Sequence, residues 1–202
     1  MVKQKILFVA HCVLNTASKV VMYNNEEIAQ EEALRRRFVH AALDSGVQLI
    51  QLPCPEFTLY GSKRWGHTSD QFDNPFFRRH CRKLLKRPLD EAAAYLADPE
   101  RFELLGFVGI DGSPSCGVDY TCTGPWGGNL TSRNDLPAVL SQVTLIPMAG
   151  IFFDEVKKLL AKRGLILSCT GLFAPEPDKV MSLLCGRENG SKQKTTIKRF
   201  NS

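Results

Sequence analysis

Apolar and polar residues fall along this chain in blocks, and the apolar blocks are short. Lys5 to Ala10 carries the continuous run Ile6-Leu7-Phe8-Val9-Ala10, Val47-Gln48-Leu49-Ile50-Gln51-Leu52 is a second, mainly apolar stretch, and Leu104 to Ile110 a third. The first two predict strands, and the third, which ends at glycine without a polar interruption, predicts an interior strand buried on both faces. Val143 to Pro147 and Leu165 to Ser168 predict a fourth and a fifth strand. Between the first two runs the period becomes helical. Asn24 and Asn25 precede Glu26-Glu27 as a cap with acids in the first turn, Leu34, Phe38, Ala41 and Ala42 share one face, and Gly46 closes the helix. Asn74-Pro75 opens the next helix, with Phe77, Cys81, Leu84 and Leu85 inward. Pro88 is expected to break it, leaving a shorter helix from Leu89 to Ala97. Further helices are expected from Phe153 to Arg163, closed by Gly164, and from Pro177 to Leu184. Alternation of this kind defines an α/β fold: a Rossmann-like, open, mainly parallel five-stranded sheet with helices on both faces. The expectation is a single domain over residues 1–185 and a basic, frayed tail over 186–202.

The loops that leave the strands hold the chemistry. Cys12 follows the first strand in His11-Cys12-Val13, Cys54 follows the second in Cys54-Pro55-Glu56, and Cys116 follows the third in Ser113-Pro114-Ser115-Cys116-Gly117. Ligands of open α/β sheets bind outside the carboxyl ends of the strands, so three thiols are expected to meet at one site. Their wide spacing excludes a zinc knuckle or a compact ferredoxin motif as the origin of the pattern. The irregular stretch from Phe57 to Asp73 carries Tyr60, Arg64, Trp65 and His67, a composition suited to lining a site. Cys81, Cys169 and Cys185 read as core residues. Cys122, in a glycine-bearing loop near Cys116, stays open between fourth ligand, sulfur acceptor and spectator.

Composition narrows the setting. Seven cysteines without a signal-peptide pattern or a membrane-length apolar run suggest a cytoplasmic protein whose thiols are ligands, catalysts or core fillers. A formal net charge of +5 permits an anionic partner without requiring one. The basic run from Arg78 to Arg87 reads as a solvated helix face, which makes nucleic acid, including thiolated RNA, the minority partner beside a small thio compound.

Cys12, the Cys54-Pro55-Glu56 turn and the Ser113-Pro114-Ser115-Cys116-Gly117 turn together resemble the thiouracil desulfidase family, over about Lys5 to Leu172. The first loop differs from the pattern of that family, which marks a divergent branch. The resemblance implies that Cys12, Cys54 and Cys116 hold a 4Fe-4S cluster whose fourth iron is open to the sulfur of a small thiolated compound. Sulfur would then be removed by hydrolysis and released as hydrogen sulfide, with Glu56 and Ser113 or Ser115 handling protons. Three soft thiolates and one open iron suit a sulfur-bearing substrate. His11, Arg64 and Trp65 are weaker candidates for substrate contact, Arg64 and Trp65 by clamping and stacking a planar ring. Two alternatives stand beside this reading: a non-catalytic iron-sulfur or metal-binding module, and a metal-free thiol enzyme with Cys116 as nucleophile, its pKa lowered by backbone N–H groups.

Overall fold

The structure is a computed structural model that describes residues 2–184. The expected tail and Cys185 lie outside the described residues. In chain order the elements are β1 (Gln4–Val9), α1 (His11–Leu14), α2 (Asn25–Asp44), β2 (Val47–Gln51), α3 (Pro55–Tyr60), α4 (Ser69–Phe72), α5 (Pro75–Leu96) and β3 (Phe102–Ile110). They continue with β4 (Thr121–Thr123), α6 (Leu136–Leu140), β5 (Thr144–Ile146), α7 (Ile151–Lys162), β6 (Cys169–Leu172) and α8 (Pro177–Met181).

Four strands, not five, form the main sheet, in the order β2-β1-β3-β6 with every pairing parallel. The chain leaves β1 toward one edge and β3 toward the other. Right-handed crossovers therefore put α2 on one face and α5 and α7 on the other. The packing agrees, since α5 lies against α7 and α2 against α8. The central strand β1 is flanked on both edges, and Leu7, Phe8, Val9 and Ala10 are fully buried. Phe8 stacks on Phe107 of β3 at 5.0 Å, continuing the core across the ladder.

Three expectations are corrected. Val143 to Pro147 does not join the sheet: Thr144–Ile146 pairs antiparallel with Thr121–Thr123 in a separate two-stranded ribbon. Its residues are mostly exposed, so the apolar run there serves one face of a small hairpin and not an interior strand. Leu165 to Ser168 is not a strand either. The pairing begins at Cys169, opposite Phe107, and Ile166 is 79% exposed. The edge strand β6 reads Cys-Thr-Gly-Leu because Gly171 lies against the Asp111 carboxylate, where a Cβ would come within 1.9 Å of Oδ2. Finally, Pro88 does not break its helix. α5 runs through it, and burial of Leu85, Pro88, Leu89 and Ala92 outweighs the backbone hydrogen bond that proline removes, a local cost of about 3 kcal/mol.

Part of the basic run is spent inside the fold. Arg78 donates to Asp154 at 2.6 Å and to Glu155 at 2.9 Å, and Arg82 to Glu155 at 3.1 Å, so these arginines tie α5 to α7. No helix among the described residues is long and apolar enough to cross a membrane.

Candidate active site

The site lies where the carboxyl ends of β1, β2 and β3 open into loops, at the point where the chain direction reverses across the sheet. A cavity of about 710 Å³ opens there, and Cys12, Cys54 and Cys116 all line it. Each thiol is delivered differently. Cys12 sits in the single turn α1 that β1 runs into. Cys54 caps α3, its Sγ accepting the Phe57 N–H at 3.3 Å. Cys116 lies in a turn held from several sides.

That turn is the most heavily fixed part of the cavity. Ser113 Oγ accepts the Cys116 N–H at 3.0 Å, the Gly117 N–H reaches the Ser113 carbonyl at 3.1 Å, and the Ile110 N–H reaches the Cys116 carbonyl at 2.9 Å. The first turn of α7 lends its free N–H groups: Ile151 donates to the Pro114 carbonyl at 3.1 Å and Phe152 to that of Ser115 at 2.9 Å. Those donors have no partner within their own helix, so the turn caps α7 while α7 positions the turn. Gly150 allows the approach, because a Cβ there would stand 2.7 Å from the Ser115 carbonyl carbon. Behind it, Asp111 Oδ1 accepts the N–H groups of Val118, Asp119 and Tyr120 at 2.7, 2.9 and 3.3 Å and folds the outgoing loop.

Beside the thiols is a buried polar chain. Ser115 Oγ donates to Glu56 Oε1 at 2.5 Å, and Glu56 Oε2 accepts Arg64 Nε at 3.1 Å. Arg64 also donates to the carbonyls of Gly61 at 3.1 Å and Ser18 at 2.7 Å. All three of its nitrogens are engaged, so it anchors the carboxylate and does not clamp a ring. Glu56 and Ser115 are both buried, and a buried carboxylate held by an arginine and a hydroxyl is a poised polar group at modest desolvation cost.

The thiols themselves are held protonated. Burial pushes Cys12 up to about 12, against the opposing charge of Lys19. Burial likewise raises Cys54, and it raises Cys116 well above the ordinary thiol value, with Cys12 and Cys54 adding to the effect. The Ser115 hydroxyl, which reaches the Cys116 thiol at 3.5 Å and lowers its value, does not offset this. A free thiolate nucleophile is therefore disfavoured in the metal-free protein, which weakens the thiol-enzyme alternative. Among the described residues no group of three His, Cys, Asp or Glu side chains is arranged to hold a single metal ion.

Seven of the nine residues predicted as ligands, proton handlers or substrate contacts line the cavity: the three cysteines, Glu56, Arg64, Ser113 and Ser115. His11 and Trp65 are not among its lining residues. The His11 ring faces Asn15 at 3.4 Å, and Trp65, 66% exposed, borders a separate hollow of about 200 Å³ with Trp126. Residues without a motif complete the walls. The Lys19–Glu31 ion pair lies on one side, and Val143 to Leu145 of the β4–β5 ribbon close another. His67 and Cys122 also face the cavity, the Cys122 thiol donating to the His67 carbonyl at 3.6 Å. The aromatic neighbours of His67 in the 57–73 stretch were its only sequence signal.

Fold and site together define an α/β protein whose parallel sheet brings three thiols and a carboxylate–serine pair to one cavity. The chain belongs to the family described as "Putative 2-thiouracil desulfurase", whose model matches residues 4–127. It is also 32% identical over 115 residues to an uncharacterized protein of Methanocaldococcus jannaschii, covering 57% of this chain and 69% of that relative. No solved structure matches the chain.

Proposed function

We propose that this protein is a desulfidase that replaces the thiocarbonyl sulfur of a small thiolated heterocycle with oxygen from water, at a 4Fe-4S cluster held by Cys12, Cys54 and Cys116. The observation that carries the reading is the convergence of these three thiols on one cavity beside the Ser115–Glu56–Arg64 chain. The donor set fits the group. It is all sulfur, and it comes from three separate strand ends. Each thiol of a cubane binds a different iron, so three such ligands need not meet around one ion as a mononuclear site requires. Thiols whose pKa is raised chiefly by burial also become ligands only when a metal displaces their protons. The strand order supports the Rossmann-like reading of the sheet, with the site at its reversal point.

When bound, such a cluster would offer an iron without a protein ligand as a Lewis acid toward the substrate sulfur. The chain supplies the rest. Glu56 is the base within reach of a water in the cavity, and Arg64 fixes its second oxygen. Ser115 holds the first oxygen and lies 3.5 Å from Cys116 Sγ, which places a proton-carrying hydroxyl between carboxylate and ligand. Ser113 orders the turn through the Cys116 N–H. Water contributes the oxygen of the product and both hydrogens of the released hydrogen sulfide, so no net oxidation or reduction is involved. The test is sulfide release from 2-thiouracil by the full chain after anaerobic reconstitution with iron and sulfide. Stoichiometric formation of sulfide and uracil is expected, and its absence in an iron-loaded protein would remove the proposal.

A further inference from the structure

The titratable groups of the cavity are mostly committed to one another. Glu56 is held by Arg64 and Ser115, and Lys19 by Glu31. Two lining side chains keep a buried atom without a hydrogen-bond partner among the described residues, Asp111 at Oδ2 and His67 at Nδ1. Asp111 is otherwise committed through Oδ1 to the loop after Cys116, and His67 is not. Its ring is stacked on Tyr60 at 5.2 Å and on Phe72 at 4.8 Å, and Phe72, fully buried, stacks in turn on Phe77 at 4.1 Å. Its backbone is fixed too: the carbonyl accepts from Cys122, and Thr68 next to it closes a capping box with Gln71 at the start of α4. The plane of the imidazole is thereby set against the cavity by contacts from α3, α4 and β4. Yet its buried Nδ1 has no hydrogen-bond partner among the described residues, where buried imidazole nitrogens are ordinarily satisfied. Burial keeps the ring below the usual histidine value, with Glu56 and then the nearby Trp65 backbone opposing the effect and Arg64 reinforcing it. At neutral pH it is then a neutral imidazole with one donor and one acceptor.

We propose that His67 is a ligand-contacting residue of the cavity, hydrogen-bonding the ring nitrogen or exocyclic oxygen of a planar pyrimidine-like heterocycle. This deepens the desulfidase reading and rests on it for the reacting substrate. As the C–O bond to water forms and the C–S bond breaks, negative charge grows on the ring atoms next to the reacting carbon. A neutral imidazole N–H on a ring fixed at the cavity wall would stabilise that charge without transferring a proton. Removal of one such preorganised donor costs on the order of 100-fold in rate.

The test separates contact from turnover. Uracil, which carries no sulfur to release, is titrated into the anaerobically reconstituted full chain, and sulfide release from 2-thiouracil is measured in parallel. His67→Phe keeps an aromatic ring in the stack but has no nitrogen, and His67→Gln restores a donor without the ring. His67→Phe is expected to keep its iron and melting temperature, to bind uracil at least roughly tenfold more weakly, and to release sulfide about 100-fold more slowly. His67→Gln should recover part of both. Should the Phe variant fail to fold, the Gln variant is compared with wild type directly: uracil binding altered by more than about threefold supports the contact, and binding within that range overturns it. Uracil binding that ignores the Phe substitution, or is absent in the wild type, overturns the contact whatever the turnover. His67-dependent uracil binding in a protein that releases no sulfide would instead defeat the desulfidase reading and leave the contact standing.

Discussion

The floor and the wall of the cavity are built by different means. The floor is made of strand ends: Cys12 and Cys116 follow the buried strands β1 and β3, Cys54 follows the edge strand β2, and the Cys116 turn is locked to the first turn of α7. The wall is made of loops joined to one another. Asp70 accepts the Gly124 N–H at 3.0 Å and the Thr123 hydroxyl, and the Trp126 indole donates to the Gly66 carbonyl at 2.8 Å, so the 61–73 stretch and the β4–β5 ribbon hold each other. The floor inherits its geometry from the hydrophobic core. The wall depends on a few hydrogen bonds at a partly exposed seam, where local opening is easier. On the function proposed above, the chemistry that tolerates no displacement falls to the floor and selection of the ligand to the wall.

That contrast can be broken from the floor upward. The largest effect is expected from Cys12→Ala, Cys54→Ala or Cys116→Ala, each of which should abolish iron binding and sulfide release while the fold persists. Iron content and visible absorption check this, and retention of full iron in any one variant would remove that cysteine from the ligand set. Next comes Glu56→Gln, which should keep the iron and lose roughly 100-fold or more in turnover. Glu56→Ala should in addition lower stability by about 3–5 kcal/mol, because it strands the Arg64 charge in a buried position. Denaturant unfolding of the two variants separates the chemical loss from the structural one. Gly150→Val should disorder the Cys116 turn by intruding on Ser115, and lower iron occupancy more than it lowers the melting temperature.

The wall should respond more weakly. Asp70→Asn is expected to raise the Michaelis constant a few-fold with the iron unchanged, a split seen in initial-rate kinetics. Hydrogen bonds from Thr123 and then Gly124 hold the Asp70 carboxyl below its ordinary range. A carboxyl depressed in the folded protein adds stability that is present above its unfolded pKa and lost as pH falls through the folded value. The seam should therefore be intact at neutral pH and loosen only in strong acid, which amide exchange at Thr123 and Gly124 would report.

The same division decides how much the sequence disclosed. The floor was legible, because an unbroken apolar run such as Ile6 to Ala10 reads as an interior strand, and the loop after such a strand surfaces at the sheet edge. The placement of Cys12, Cys54, Cys116, Glu56 and the Ser113–Ser115 turn came from that rule. The fifth strand was misread for the converse reason: Leu165 to Leu167 is apolar but leads into the sheet, whereas β6 itself needs Gly171 to clear Asp111 and so lacks the strand signature. Pro88 misled because a local cost was weighed without the packing of α5 that offsets it. Arg64 was legible as a residue lining the cavity and illegible in its partners, since the Ser18 carbonyl it reaches lies 46 residues away. His67 had no motif at all. Its significance comes from a stack and a cavity that only the tertiary structure brings together.

The most direct test of the account is the iron and acid-labile sulfide content of the anaerobically reconstituted chain, measured beside the Cys116→Ala variant. About four irons and four sulfides per wild-type chain, the content of one cubane, are predicted, together with their loss in the variant. An iron-free wild type that still releases sulfide from 2-thiouracil would contradict the claim that the three floor cysteines act as cluster ligands.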